Sequence, residues 1–230
     1  YFNTNLTLVN SALIKSSLVK KYWMAATGLF LCLFLVGHLA GNLQLLLPPE
    51  KALLQFNEYA KFMTTFPLVK VLSYLTYFSI LFHSVDGVIL LLKNRKARPV
   101  KYAYTKPSKN SKWSSRNMGL LGSILLLFLI IHMRSFWYEM HFGEVPLDSN
   151  NNKDLYTITL SAFQSIWYVI FYLFSMVAVA LHLSHGFGSA FQSIGVSHPR
   201  LKILIKPFTY FFCIIVPLAF ALIPISLYFR

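Results

Sequence analysis

Residues 22–47 read YWMAATGLFLCLFLVGHLAGNLQLLL, an apolar stretch that contains one ionisable side chain, His38. About 20 helical residues, each rising about 1.5 Å, cross the roughly 30 Å hydrocarbon core of a bilayer, so this stretch is long enough to span a membrane. An ionisable side chain within such a span costs free energy unless the protein satisfies it. The stretch therefore predicts a membrane-spanning helix and makes His38 a candidate functional residue.

The composition of the whole chain is that of an integral membrane protein. Hydrophobic residues make up 56%, aromatic residues 17% and charged residues 12%, which is too apolar for a soluble domain of this length. A net charge of +14 would suggest nucleic acid as the partner of a soluble protein. Here the basic residues lie in short segments between apolar runs, which is typical of the cytoplasmic flanks of membrane helices. We therefore expect a lipid bilayer as the partner, and no nucleic acid.

The hydropathy pattern predicts five spans in a single membrane domain that covers residues 1–230. The predicted spans are residues 22–47, 67–92, 117–137, 161–187 and 203–228. The loop 93–116 is rich in Lys and Arg and has no acid, whereas the segment 139–154 is mainly acidic. Because Lys and Arg concentrate on the cytoplasmic side of membrane proteins, the basic loop 93–116 and the amino terminus are predicted to be cytoplasmic. The expected fold is an all-α bundle of five transmembrane helices.

Each of the first four predicted spans carries a histidine that lies late in its helix. His38 and His132 belong to outward-running helices and form what we call the outer pair. His83 and His182 belong to inward-running helices and form the inner pair. Two neutral imidazoles at one level, from different helices, are what the two axial positions of a haem iron require. The sequence therefore predicts a bundle that encloses two stacked b-type haems.

Other residues near these histidines are candidate contacts of the haems. Gly41, Gly87 and Gly186 each lie about one turn beyond a histidine, where a glycine leaves room for a porphyrin. The alternative is that these glycines only allow the helices to pack closely. Arg134, just beyond His132, is predicted either to contact a haem propionate or to extend to the membrane surface.

The remaining histidines are weaker candidates. His185 lies one turn beyond His182 and is an alternative ligand for the inner pair. His141 is predicted in the interfacial region, and His198 precedes a proline in a loop, so both are expected to be solvated. The two cysteines, Cys32 and Cys213, lie in apolar runs without a CxxCH motif, which argues against covalently attached haem and against a cysteine-bound metal cluster.

Three stretches resemble the dihaem cytochrome b subunit of succinate:quinone oxidoreductases and fumarate reductases, in its single-subunit form with five spans. They are KKYWMAATGLFLCLFLVGHLAGN (residues 20–42), LFHSVDGVILLLKNRKARPVKY (residues 81–102) and ALHLSHGFGSAFQSIG (residues 180–195). The third span, around LLLFLIIHM, resembles the family mainly in its position.

The resemblance implies a ligand for each axial position, because in that family one histidine from each of the first four spans binds haem. His38 and His132 would hold the haem distal to the catalytic subunits. His83 and His182 would hold the proximal haem. The depth of the histidines in their spans leads to the same pairs.

The resemblance also implies partners and a location. The chain would be the membrane-anchor subunit of a succinate dehydrogenase, a succinate:menaquinone oxidoreductase, in the cytoplasmic membrane of a bacterium. Its loops are too short for a flavin or iron-sulfur domain, so a flavoprotein subunit and an iron-sulfur subunit on the cytoplasmic face would carry out the dicarboxylate chemistry. Electrons would pass between the iron-sulfur subunit and a quinone, for which the resemblance favours menaquinone. The direction of the reaction and assembly into a higher oligomer stay open.

A quinone site needs a group that transfers protons, because quinone reduction takes up two of them. Glu58, in the outer connection between the first two spans, is the candidate for this catalytic role if the quinone site is on the outer side, which the sequence leaves open. A solvated carboxylate is the alternative. Some relatives in the resembled family carry an acid two residues before the fourth ligand, where this chain has Ala180. A transmembrane proton path that uses this position is therefore in doubt.

Two other classes of membrane protein share part of the pattern. A cytochrome b of the quinol:cytochrome c type places two histidines on each of two helices, whereas here four helices carry one each. A haem-free membrane anchor or a histidine-lined transporter would keep the topology without the redox chemistry.

Overall fold

The computed structural model describes residues 17–97, 111–196 and 198–230. Residues 1–16 and 98–110, which include most of the predicted basic loop, lie outside the described residues. The helices longer than eight residues in the described part are α1 Ser17–Asn42, α2 Pro49–Thr65, α3 Pro67–Lys96, α4 Met118–Phe142, α5 Leu155–Phe163, α6 Ile166–Ser193 and α7 Pro199–Tyr228.

Five helices in the described part of the chain, α1, α3, α4, α6 and α7, are long and apolar enough to cross a membrane. This confirms the predicted all-α class and the predicted number of spanning helices. The helix ends differ from the prediction at several places. α4 continues to Phe142, beyond the predicted end at residue 137, because a π-helical segment, Met133–Tyr138, extends the helix. α6 begins at Ile166, since the chain leaves the helical path at Gln164 and Ser165 after α5.

The connection between the first two spans is itself a helix, α2. Pro49 and Glu50 occupy its first turn, where proline and acidic side chains are favoured. Its exposed side chains include charged residues, whereas Ala52 and Asn57 are buried. α2 packs against α5 and against the end of α1. We call the side of the molecule that carries α2 and α5 the α2 face, and the opposite side the basic face.

The centre of the bundle is α6, which packs against α1, α4 and α7. Near the α2 face, buried side chains from several helices form one core cluster, which includes Leu45, Tyr156, Phe163, Tyr172 and Leu227. A second cluster joins α1, α6 and α7 through residues such as Cys32, Phe187 and Phe212. Among the described residues, α4 buries only Leu121, and α3 buries only Thr76 and Ser79. Most of the surface of α3 and α4 is therefore open to lipid or to the space between the helices.

Candidate functional site

The structure brings the four histidines of the first four spans together in two pairs. The ring centres of His38 and His132 lie 5.8 Å apart, with their planes at 88°. The ring centres of His83 and His182 lie 6.3 Å apart, with their planes at 64°. All four side chains are half-buried. These are the outer and inner pairs that the depth of each histidine in its span predicts.

Aromatic rings surround the outer pair. The ring of Phe34 stacks on His38 at 5.3 Å, and the ring of Phe128 stacks on His132 at 5.6 Å. Phe220 of α7 and Phe136 of α4 approach the same two imidazoles at 5.7 and 5.4 Å. The outer pair therefore lies among aromatic rings from three helices, α1, α4 and α7.

Hydroxyl groups contact one histidine of each pair. Nδ1 of His132 lies 3.0 Å from Oη of Tyr172, which in turn lies 3.2 Å from Oη of Tyr168. Nδ1 of His83 lies 3.2 Å from Oγ1 of Thr27. Both contacts engage Nδ1 of the ring, and the ring of His83 also has the backbone of Met24 within hydrogen-bonding range. Thr27 and Tyr172 do not stand out in the sequence. A threonine hydroxyl in a spanning helix commonly bonds a carbonyl of its own helix, and the contact of Tyr172 with His132 joins two helices.

The other two histidines have different surroundings. Nδ2 of Asn42 donates a hydrogen bond to the carbonyl of His38 at 2.7 Å and lies 3.4 Å from Nδ1 of that residue. Nδ1 of His182 is buried and has no hydrogen-bond partner within the described residues. A buried polar atom without a partner costs free energy. The ring of His182 therefore calls for an interaction that the neighbouring side chains do not supply.

Two of the predicted glycines lie beside open space. A Cβ atom at Gly87 would come within 4.0 Å only of Cε of Met24, and a Cβ atom at Gly186 only of Cδ2 of His182. Gly122 of α4, which the sequence analysis did not select, has nothing within 4 Å of such an atom. Gly87 and Gly186 thus leave space about one turn beyond His83 and His182, as a bulky planar group requires.

Two other glycines bring protein groups close together. A Cβ atom at Gly41 would lie 2.8 Å from Cζ of Tyr59, so the space beside Gly41 is filled by a tyrosine ring. A Cβ atom at Gly28 would lie 3.2 Å from Cε1 of His83. Gly28 thus lets the imidazole of α3 approach α1, a role that depends on a neighbour far away in sequence.

The alternative and peripheral candidates have other neighbours besides the pairs. Of the two alternative ligands, His182 contributes the ring next to His83. His185 lies close enough to Lys112 to feel its positive charge. Arg134 is exposed, forms an ion pair with Glu139, and places its guanidinium over the ring of Tyr138. His141 is exposed and stacks on Trp137 at 4.5 Å between ring centres, in agreement with its predicted interfacial position.

Glu58 lies exposed on α2 rather than in an irregular loop. It borders a surface recess of about 460 Å³ on the α2 face. The other residues that line this recess are Lys61, Phe62, Thr65, Asn150 and Asn152. The recess thus combines one carboxylate, one ammonium and one aromatic ring.

The geometry of the pairs fits a haem better than a bare metal ion. A metal about 2 Å from one nitrogen of each imidazole places the two ring centres about 6 Å apart, close to the observed separations. Zinc sites take three or four protein ligands, whereas a haem iron takes only two because the porphyrin supplies the others.

Comparison of the chain with family models, with curated proteins and with solved structures gives no match.

Proposed function

We propose that this chain is the dihaem cytochrome b membrane subunit of a succinate:menaquinone oxidoreductase or a fumarate reductase. In this proposal His38 and His132 hold one haem b, and His83 and His182 hold the other. When bound, the haems supply one-electron transfer between an iron-sulfur partner and a membrane quinone. The flavoprotein and iron-sulfur subunits that carry out the dicarboxylate chemistry are partners of this chain.

The observation that carries the proposal is the meeting of imidazoles from four different helices in two pairs. Histidines are rare within membrane spans and are by default functional. A single pair would have a plain structural explanation as two packed rings. Two pairs with similar ring separations, each joining two different helices, are better explained by two equivalent groups bound between the helices.

The side chains around the pairs have separate tasks in this function. The phenylalanines of the outer pair keep water from the imidazoles, so that the rings stay neutral and available as ligands. The glycines beside the inner pair leave room for a planar group between helices. Arg134, which pairs with Glu139, is available for a haem propionate only if that ion pair opens.

The charges at the two ends of the bundle support an orientation with the amino terminus in the cytoplasm. The described basic residues at the basic face are Lys20, Lys21, Lys93, Arg95, Lys96, Lys112, Arg116, Arg200, Lys202 and Lys206. The α2 face carries most of the acids, including Glu50, Glu58 and Asp148. By the positive-inside rule the basic face is cytoplasmic. We propose that the chain lies in the cytoplasmic membrane of a bacterium and that its basic face binds the iron-sulfur and flavoprotein subunits.

Menaquinone would react at the opposite, α2 face in this proposal. Glu58 is accessible at the recess of that face, and its carboxylate is suited to accept or donate the proton that accompanies quinone chemistry.

The test is a pyridine-haemochrome determination on the purified complex, together with identification of the subunits that purify with this chain. We expect about two b-type haems per chain and two soluble partners, one with flavin and one with iron-sulfur clusters. A haem-free complex would overturn the proposal in favour of a haem-free anchor. Purification as a haem-free chain without partners would favour a histidine-lined transporter.

Single histidine variants separate the two haem positions. We expect His132→Ala to remove the haem of the outer pair and leave the other, and His83→Ala to do the reverse, because each variant lacks one axial ligand. Haem content and the optical spectrum of each purified variant measure this. Loss of the same haem in both variants would show that the ligand pairs are wrong.

A further inference from the structure

The two hydroxyl contacts of the histidine pairs have a shared chemical consequence. Resting on the proposed function, we propose that Thr27 and Tyr172 are positioning residues that accept the Nδ1–H of His83 and His132, and so set the reduction potential at each level independently. Each level of the bundle would then have one residue of its own that tunes it.

The contacts of Thr27 determine the direction of its hydrogen bond to His83. A threonine hydroxyl has a single proton. Oγ1 of Thr27 lies 2.9 Å from the carbonyl oxygen of Trp23 and 3.2 Å from that of Met24. Since a carbonyl only accepts, the hydroxyl proton is directed there. The oxygen then accepts from Nδ1–H of His83, and this tautomer leaves the lone pair on Nε2.

Tyr172 can accept in the same way, because a second hydroxyl takes its own proton. Its side chain is only 7% exposed, and its oxygen lies between Nδ1 of His132 and Oη of Tyr168. With the Tyr172 proton donated to Tyr168, the phenol oxygen accepts from Nδ1–H of His132. Nε2 of His132 is then free to act as a ligand, as Nε2 of His83 is.

The partner histidine of each pair lacks this support. The side chain near Nδ1 of His38 is the amide nitrogen of Asn42, which is a donor and already bonds a backbone carbonyl. Nδ1 of His182 has no hydrogen-bond partner within the described residues. One hydroxyl per pair is therefore placed to act on a ligand, and removal of that hydroxyl isolates its effect.

The expected effect follows from ligand basicity. A hydrogen bond from the distant nitrogen of an imidazole to an acceptor makes the imidazole a stronger electron donor to a metal. A stronger donor favours ferric over ferrous iron and lowers the reduction potential. Loss of such an outer contact typically changes metal affinity or activity by at least about tenfold. For a one-electron couple a tenfold change in the ratio of ferrous to ferric iron corresponds to about 59 mV.

The experiment is an optical redox titration of the intact complex with Thr27→Val or Tyr172→Phe in this chain. We expect Thr27→Val to raise the potential only of the haem that His83→Ala removes. Tyr172→Phe should raise only that of the haem that His132→Ala removes. Thr27→Ser, which keeps the hydroxyl, should restore the wild-type value.

Two buried hydroxyls without partners provide matched controls. Oη of Tyr156 and Oγ1 of Thr209 are buried and have no hydrogen-bond partner within the described part of the chain. Tyr156→Phe and Thr209→Val remove the same atoms from buried sites away from the imidazoles, so both potentials should stay unchanged.

The outcomes separate this inference from the proposed function. Both haems present with unchanged potentials, or with equal shifts in both, would overturn the inference and leave the proposed function intact. Loss of a haem from either variant would also overturn it, because the hydroxyl would then be needed to hold the haem rather than to set its potential. A wild-type complex without haem overturns the proposed function itself.

Discussion

Asn57 fastens α2 to the loop before α5. Its side chain is 1% exposed, and Nδ2 donates to Oδ2 of Asp148 at 3.1 Å and to Oδ1 of Asp154 at 3.2 Å. Its Oδ1 accepts from the backbone N–H of Tyr156 at 3.0 Å. We expect Asn57→Ala to lower the free energy of unfolding by about 3 kcal/mol, since a buried N–H and two carboxylates would lose their partner.

Thermal unfolding of the purified protein in detergent measures this loss. Asn150→Ala is the control, because that side chain is exposed and only the backbone N–H of Asn150 contacts Asp148. The control should unfold near the wild-type temperature. Equal unfolding temperatures for Asn57→Ala and Asn150→Ala would show that the buried amide contributes nothing specific.

Asp148, in the same loop, makes the stability of the folded protein depend on pH. Partial desolvation raises the pKa of its carboxyl. Three hydrogen bonds and one positive charge lower the pKa by more than this. The hydrogen bonds come from the backbone N–H of Asn152, the side chain of Asn57 and the backbone N–H of Asn150, and the charge is that of Lys61. The pKa of Asp148 is therefore below its ordinary value of 3.8. A carboxyl with a lowered pKa stabilises the folded state above that ordinary value, and this contribution is lost as the pH falls through the folded-state pKa.

We therefore expect the unfolding temperature to fall more steeply for the wild type than for Asp148→Asn as the pH decreases from 5 to about 3. Above pH 5 the wild type should be the more stable of the two. Thermal unfolding at a series of pH values measures both. A parallel pH dependence of the two proteins would mean that Asp148 is not the group responsible.

The sequence predicts the histidine pairs but not their hydroxyl partners. Depth in a helix is a local property, since it follows from the distance in sequence to the helix ends. The contact between Thr27 and His83, in contrast, depends on which faces of α1 and α3 meet. Asn57 was missed for the same reason, because its partners lie 91, 97 and 99 residues away.

The contact between α1 and α2 depends on a glycine at a close approach. A Cβ atom at Gly41 would overlap the ring of Tyr59, at 2.8 Å from Cζ and 2.9 Å from Oη. Gly37, one turn earlier on α1, has nothing within 4 Å of such an atom. We expect Gly41→Ala to lower the free energy of unfolding by about 1–3 kcal/mol through overpacking. Gly37→Ala should be neutral or raise it by about 0.5–1 kcal/mol, because alanine is the better helix former.

Thermal unfolding of the two variants, with their haem content, distinguishes the two possible roles of Gly41. If it only admits the tyrosine, Gly41→Ala loses stability and retains both haems. Selective loss of the outer haem without a lower unfolding temperature would instead support a porphyrin contact.

Several features of the helices were not predictable from hydropathy. Helix α2 was expected only as a connection, because charged residues of both signs interrupt its apolar residues and so it does not resemble a span. Pro49 and Glu50 at its start were the available signal for a helix. The π-helical segment Met133–Tyr138 follows His132 directly and ends where the indole of Trp137 donates to Oη of Tyr77 at 2.7 Å. A π-helical turn contains one residue more than an α-helical turn needs, and hydropathy does not show this. The contact between Trp137 and Tyr77 joins two helices and is likewise not visible in the hydropathy of one of them.

At the scale of the whole molecule, the arrangement separates charge between two faces. Consecutive spans run in opposite directions, so the start of α1, the end of α3 and the start of α7 share the basic face. The acids Glu139, Glu144 and Asp148 lie at the other end, on the α2 face. Moving one charge across a potential of 100 mV involves about 2.3 kcal/mol. In the proposed function, the placement of the electron and proton sites relative to the two faces would therefore decide whether turnover uses or dissipates the membrane potential.

We expect single cysteines to report this orientation in intact cells. Ser149 is exposed on the α2 face. A cysteine at this position, in Ser149→Cys, should therefore react with a membrane-impermeant maleimide added outside the cells. Asn94→Cys, exposed near the end of α3 on the basic face, should react only after the membrane is opened. The native Cys32 and Cys213 are buried and should remain unlabelled in both experiments. Labelling of Asn94→Cys in intact cells, with Ser149→Cys protected, would invert the topology and move the predicted partner subunits to the α2 face.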